Sequence, residues 1–122
     1  MARTTPPMHT DDLAACCAPV TGAVLDVESA ERLAHLLKAL ADPTRVRLLS
    51  LIAATEGGEA CICDLTGPVA LSQPTVSHHM RLLVESGLVT REQRGKWAYY
   101  RVVADALANL AQALQPVASQ VR

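Results

Sequence analysis

Between Ser72 and Gly87 the chain reads SQPTVSHHMRLLVESG, and this stretch constrains what can be built around it more than any other. A Ser hydroxyl can accept the free backbone N–H groups that open a helix, a Pro fits the first turn where its missing N–H costs nothing, and a Gly adopts the left-handed conformation that closes one. The spacing predicts one helix of about four turns. At 100° per residue, Val76, Met80, Leu83 and Val84 gather on one side, and Ser77, His78, Arg81 and Glu85 gather opposite. The first face is for packing. The second begins with short hydrogen-bonding groups, Gln73, Thr75, Ser77 and His78, and reaches Arg81 one turn later. Those residue types suit base edges and phosphates in a DNA major groove.

An ordinary amphipathic surface helix would carry the same stripe, and the residues after Gly87 decide between the two. They are LVTREQ, then RG, then KWAYYRV, two β-type runs around a Gly-containing turn. That pattern reads as a hairpin. Helix, helix and hairpin in this order predict a winged helix-turn-helix, mainly α with a β-hairpin wing. The wing carries Arg91, Arg94, Lys96 and Arg101. A solvated hairpin accommodates such charges equally well, but beside a reading helix they are placed for phosphates.

The formal charge of the whole chain is only −1, which would argue against nucleic acid if it were spread evenly. It is not. Residues 1–71 hold five basic and nine acidic side chains and residues 72–122 hold six and three, so the two parts carry −4 and +3. The excess positive charge lies with the helix and wing. It is moderate, and implies salt-dependent binding that draws on a second protomer for enough phosphate contacts.

A chain of 122 residues, half of them hydrophobic, has room for one domain and one core. No apolar run approaches the ~18 residues of a membrane span, and the opening MARTTPPMHTDD lacks the apolar centre of a secretory signal. A cytoplasmic protein without a membrane partner is expected.

Residues 1–25 show no sustained period and are expected to form a mobile arm carrying Cys16 and Cys17; residues 26–117 form the winged domain, and 118–122 a tail. Asp26 can cap a helix running to about Ala41 on Leu33, Leu36, Leu37 and Leu40. Asp42 and Pro43 restart the chain, with Val46, Leu49, Ile52 and Ala53 toward the core, until Gly57 and Gly58. Arg45 and Arg47 on this helix are within reach of a DNA backbone. Cys61 opens a helix of about two turns that Gly67 and Pro68 are expected to end. The last helix, Ala104 to Gln115, aligns Leu107, Leu110, Ala111 and Leu114, with Ala106, Ala108 and Ala113 permitting close approach. Such a terminal stripe fits either a dimer face or a surface helix. The need for two half-sites on DNA favours a homodimer. In the second wing run, strand alternation puts Trp97 and Tyr99 on one face and assigns Tyr100 to the core.

Four cysteines occur as the pair Cys16-Cys17 and as Cys61-x-Cys63. In a cytosolic chain, metal or redox chemistry is the better reading of such thiols than stable disulfides. Residues two apart on a regular helix diverge by about 200°, so Cys61 and Cys63 could share a ligand only at a helix start, where the backbone is looser. There the free N–H groups and positive dipole end also favour the thiolate that soft metals bind. Two sulfurs do not complete a soft-metal shell, and Cys16 and Cys17 can supply the remainder from the same chain or a partner. Four small buried hydrophobes remain the plain alternative. His78 is assigned to DNA and His79 to the packed boundary, while His9 and His35 have no evident partners. No acid partner or oxyanion pocket accompanies the Ser and His side chains of the exposed helix, so an enzyme is not expected.

From about Ala30 to Val102 the chain resembles the ArsR/SmtB family of metal-responsive repressors, on ADPTRVRLL, CICDL, SQPTVSHHMRLLVESGLV and RGKWAYYRV. The resemblance implies a homodimeric winged helix that holds double-stranded operator DNA, represses a resistance operon and leaves when metal binds. Arsenic repressors of the family usually read Cys-x-Cys-x-x-Cys at this box and bind trivalent arsenic through three thiolates. Here the last position is Thr66. The departure gives the arm cysteines a purpose, as in relatives whose N-terminal cysteines complete a site near this box. The implied ligands are Cys16, Cys17, Cys61 and Cys63, and the implied inducer is arsenite or antimonite, because box, helix and wing are most like the arsenic members. Cadmium or lead on all four sulfurs, and thiol redox sensing, are the alternatives. Zinc sensors of the family use His and carboxylates on the last helix, where this chain has no matching His.

Overall fold

The computed structural model describes residues 19–116. Cys16 and Cys17 therefore lie outside the described residues, as do the beginning of the expected arm and the whole of the expected tail.

Among the described residues, five helices and three strands follow one another as α1 (Val27–Leu40), α2 (Pro43–Ala54), β1 (Glu59–Cys61), α3 (Ile62–Val69), α4 (Gln73–Glu85), β2 (Val89–Arg94), β3 (Trp97–Val102) and α5 (Ala104–Leu114), with a 3₁₀ turn at Glu56–Gly58. The Asp26 and Asp42 carboxylates cap α1 and α2 by accepting the Ser29 and Thr44 amides, each at 2.8 Å. Hydrogen bonds from Ser29 hold the Asp26 carboxyl below the usual carboxylate range. The strands form one antiparallel sheet in the order β1-β3-β2. Thus the expected hairpin is present, but it is joined on its β3 edge by a third strand that the sequence reading missed. A three-residue segment shows no alternation to detect, and its pairing partner lies some forty residues further on.

Every helix contributes to one core. Leu36, Leu48, Ile52, Leu65, Val76, Met80, Leu83 and Leu88 are all almost completely buried. Full burial of each such side chain is worth about 1.5–3 kcal/mol. The reading face of α4 is thus held from behind by Val76, Met80 and Leu83, as its stripe predicts. Tyr100 is buried and Trp97 is 42% exposed, also as strand alternation predicts. On α2 the inward residues are Leu48, Leu49 and Ile52, whereas Val46 and Ala53 face out. α2 is packed against α1, α3, α4 and the sheet, and that broad contact arc, not an ideal stripe, selects its core residues. On α5, Leu110 turns inward with Ala106 and Ala113, leaving Leu114 exposed. Among the described residues no helix is long and apolar enough to cross a membrane.

Both helices of the helix-turn-helix end in the same way. After α4 the Gly87 amide donates to Val84 O (3.0 Å) and the Leu88 amide to Leu83 O (3.2 Å), with Gly87 left-handed at φ 85°. After α3 the Ala70 amide donates to Gly67 O (3.1 Å) and the Leu71 amide to Thr66 O (3.4 Å), with Ala70 left-handed at φ 57°. These are paired closing bonds of the Schellman kind. Gly67 and Pro68 therefore do not end α3, contrary to expectation. The carbonyl that Pro68 leaves without an amide partner is that of Asp64, an exposed residue whose carbonyl water can satisfy. Ala70 carries a Cβ where Gly is preferred. Ala70→Gly is expected to stabilise the fold by about 1 kcal/mol, less the entropy the extra freedom restores to the unfolded chain. Urea unfolding with an upward-shifted midpoint and unchanged slope is the check.

Candidate functional site

Two groups of side chains flank the start of the short helix α3: a groove between α4 and the wing, and the thiols at the helix N-terminus.

The groove follows from how α4 and the sheet are held. The Ser72 hydroxyl caps α4 by accepting the Thr75 amide at 3.4 Å, and it lies 3.0 Å from the Thr75 hydroxyl. α4 then presents Gln73, Ser77 and Arg81 to a cavity of about 370 Å³, whose far wall is Arg91, Gln93 and Lys96 of the wing and whose floor includes Ile62, Ala98 and Tyr100. The strand register explains the wall, because Arg91 stands opposite Tyr100 and Gln93 opposite Ala98 on the face turned to α4. Five of the eight residues expected at DNA thus line one groove. Thr75 and His78 are exposed on α4 outside it, with His78 Nδ1 3.0 Å from Arg81 Nη2. Gln93 was not singled out from the sequence, although its position two residues from Arg91 on a strand is the signal that places it.

The eighth residue, Arg94, has the opposite parity. Its guanidinium meets Glu59 through Nη1–Oε1 (2.8 Å) and Nη2–Oε2 (2.5 Å), reaches Glu92 Oε1 at 2.7 Å and lies 4.5 Å from the centre of the Tyr99 ring. Hydrogen bonding to Arg94 holds the Glu59 carboxyl below its ordinary range. Arg45, expected near a DNA backbone, is turned inward. Its Nε donates to Ala39 O at 2.6 Å, while Nη1 lies 3.0 Å from His79 Nδ1 and 3.6 Å from an Asp42 oxygen. That cluster ties α4 to the α1–α2 junction and places His79 at the packed boundary. Arg47 caps the end of α3 by donating to Pro68 O at 3.3 Å.

At the N-terminus of α3 the backbone brings the Cys61 and Cys63 sulfurs together. Cys61 is extended (φ −74°, ψ 146°) and serves as the N-cap, its Sγ accepting the Cys63 amide at 3.2 Å. Because Cys61 is the last residue of β1, the 200° divergence of a regular helix does not apply to it. The Cys61 and Cys63 sulfurs are joined as a disulfide, with their Cα atoms 5.2 Å apart, where the sequence favoured metal or redox chemistry over a stable bridge. Cys61 is buried and Cys63 is exposed, so the pair opens to one side. Asp64, also exposed, brings a carboxylate oxygen to within 4.8 Å of both sulfurs. Asp64 went unnoticed in the sequence, where its place three residues after Cys61 was the available signal. Once reduced to thiolates, this pair fits part of a soft ion's shell: two sulfurs on one side, with a third soft donor still to come from elsewhere.

Residues 42–91, which run from the α2 cap into the wing, match the model of the bacterial regulatory protein, arsR family. A helix-turn-helix transcriptional regulator of Methanocaldococcus jannaschii is 38% identical over 79 residues, 65% of this chain and 86% of that one. The chain belongs to the ArsR family. It is a DNA-binding regulator built on a winged helix-turn-helix, and not an enzyme. The arsenical resistance operon repressor of Escherichia coli K12 is 46% identical over 68 residues, covering 56% of each chain, so the match spans little more than half of that repressor's length. Among solved structures, the AntR antimony-specific transcriptional repressor superposes with a TM-score of 0.62 at 28% identity, covering 73% of this chain and 79% of that one. The homodimeric winged helix-turn-helix domain Mb0332 of Mycobacterium bovis does so with a TM-score of 0.60 at 27% identity, covering 74% and 83%.

Proposed function

We propose that this ArsR-family protein is a homodimeric repressor of a metalloid resistance operon that leaves its operator when arsenite or antimonite binds its thiolates. The observation that carries the reading is that the Cys61 and Cys63 sulfurs are paired at the N-terminus of α3, the helix that abuts α4 through a three-residue turn, so that their reduced thiolates stand close enough to share one ion. Trivalent arsenic takes three sulfurs in a pyramid. Cys61 and Cys63 supply two, and Cys16 or Cys17, of the same protomer or its partner, supplies the third. The names of the E. coli and antimony-specific relatives support a metalloid over cadmium or lead.

On DNA, each protomer lays α4 in the major groove, using Gln73, Ser77 and Arg81 from the groove face and the exposed Thr75 and His78 beside it, with Arg91 and Lys96 of the wing at the backbone. Homodimerisation, supported by the M. bovis relative, supplies the second half-site. The apolar side chains Val20, Val24, Val27 and Leu114, all exposed in the single chain, suit that contact. The Val20 amide donates to Ala113 O at 3.0 Å and joins the two ends concerned. Emptying an operator held at 99% occupancy requires the ligand to favour the released state by about 5 kcal/mol, which two coupled sites per dimer can supply.

The test is a titration of the reduced protein on its own promoter fragment, followed by fluorescence anisotropy. Release by arsenite and antimonite near one equivalent per protomer is the expected outcome. Release by cadmium and lead alone would transfer the assignment to a four-sulfur heavy-metal sensor. The contact between the Cys61 and Cys63 sulfurs also suits a redox sensor, and release by peroxide with no response to any metal or metalloid would establish that reading instead.

A further inference from the structure

The thiol site and the wing are parts of one sheet, and the face of that sheet turned away from α4 runs continuously from one to the other. In the register, Cys61 stands opposite Tyr99 and Glu59 opposite Arg101; on the other side of β3, Glu92 stands opposite Tyr99 and Arg94 opposite Trp97. Directly paired residues, and those two apart on a strand, share a face. Cys61, Glu59, Tyr99, Trp97 and Arg94 are therefore on the same side, and the groove residues Arg91 and Gln93 are on the other.

Two side chains brace this face. The Glu59 carboxylate takes both terminal nitrogens of Arg94 and lies 3.5 Å from Arg101 Nη2, while Arg101 Nη1 donates to Gly57 O at 2.9 Å. The strut joins residues 35 apart in sequence, crossing from β1 to β2 over the middle strand β3. A fork-to-fork contact fixes orientation as well as distance, whereas a single hydrogen bond would act as a pivot. Glu59 is two residues before Cys61 on a strand of three, and Cys61 is the hinge where that strand becomes α3. Only Ala60 separates Glu59 from Cys61, so a change in the Cys61 backbone would reach Glu59 through a single residue.

We infer that Glu59 and Arg94 are positioning residues that transmit ligand binding at Cys61 to the wing, so that the wing is displaced together with α4. The inference rests on the thiol reading above. It also gives Arg94 a role on the face away from the groove: it aims the hairpin that carries Arg91 and Lys96.

Trp97, the only tryptophan in the chain, stands opposite Arg94 and is 42% exposed, so its fluorescence reports on the wing without DNA. The experiment uses the full-length reduced protein with sodium arsenite, first alone and then on the promoter fragment. It compares wild type, Glu59→Gln, Arg94→Gln and the double variant, with arsenite stoichiometry measured separately by calorimetry. In the wild type, arsenite is expected to change Trp97 emission in step with release. In each single variant arsenite still binds at the same stoichiometry, but the emission change falls at least about fivefold. The ratio of operator affinities without and with arsenite falls by a similar factor, within the range of ordinary coupling energies. The double variant loses no more than either single one, because both act through the same contact. Variants that keep the full emission change and the full ratio overturn the inference and leave the thiol reading standing. So does wild-type release with no change at Trp97. A wild type that binds no arsenite overturns both.

Discussion

Cys61→Ser is expected to leave operator affinity within about twofold of wild type while reducing arsenite-driven release to nothing measurable, from the roughly 10³–10⁴-fold that two sites per dimer supply near the upper end of ordinary coupling. The two effects separate because Cys61 has two roles. As the N-cap of α3 its sulfur accepts the Cys63 amide, and a Ser hydroxyl is a stronger cap, so the helix start and its approach to α4 survive. As a ligand, a hydroxyl does not replace a thiolate toward a soft metalloid. Anisotropy with and without arsenite measures both quantities on one sample. Release that persists in Cys61→Ser would remove this residue from the site. Release that persists in a Cys16→Ser/Cys17→Ser protein would remove the arm.

Arg81→Ala is expected to weaken operator binding by about 2–6 kcal/mol, roughly 30-fold to 10⁴-fold, from about 1–3 kcal/mol at each of two half-sites. The fold should be untouched. The contacts of Arg81 are to His78 and Glu85 of its own helix, Glu85 Oε2 lying 3.9 Å away, and its side chain is 64% exposed. Measuring the variant on the operator and on unrelated DNA over a range of salt identifies what Arg81 touches. A base contact costs affinity for the operator alone; a phosphate contact weakens both and lowers the salt slope by about one for each phosphate that is no longer neutralised. Equal affinity of Arg81→Ala and wild type for the operator would place the DNA elsewhere than in the groove between α4 and the wing.

Much of the scaffold was legible in local patterns because its decisive residues act within a few positions of themselves. Asp26, Asp42 and Ser72 cap the amides two or three residues ahead, and Gly87 closes α4 on Leu83 and Val84. The Val76-Met80-Leu83 stripe could only face inward, and the alternation of β3 sorted Tyr100 from Trp97. The misreadings arose where a neighbour outside the window decides. Val46 looked like core until α2 was seated among its partners, and Leu110 parted from Leu114 because α5 offers one side to this protomer's core and leaves the other exposed. At the end of α3, Gly67 and Pro68 look like terminators, yet the chain continues to Val69 and turns at Ala70, with Arg47 from α2 donating to the Pro68 carbonyl.

The candidate site divides along the same line. The sequence by itself determined which residues carry the chemistry, because a capped helix with an apolar back dictates its own front: Gln73, Ser77 and Arg81 follow from the positions of Val76, Met80 and Leu83. It also determined that Cys61 stands at a helix start. Only the tertiary structure decided how these parts are joined. Whether Arg91 or Arg94 faces α4 depends on sheet register, which one residue of slip would reverse. Whether Cys61 and Cys63 can meet depends on Cys61 being extended, and it is extended because β1 pairs with a β3 strand nearly forty residues away. Contacts over that distance are set by the packing of the whole domain, which no local pattern encodes.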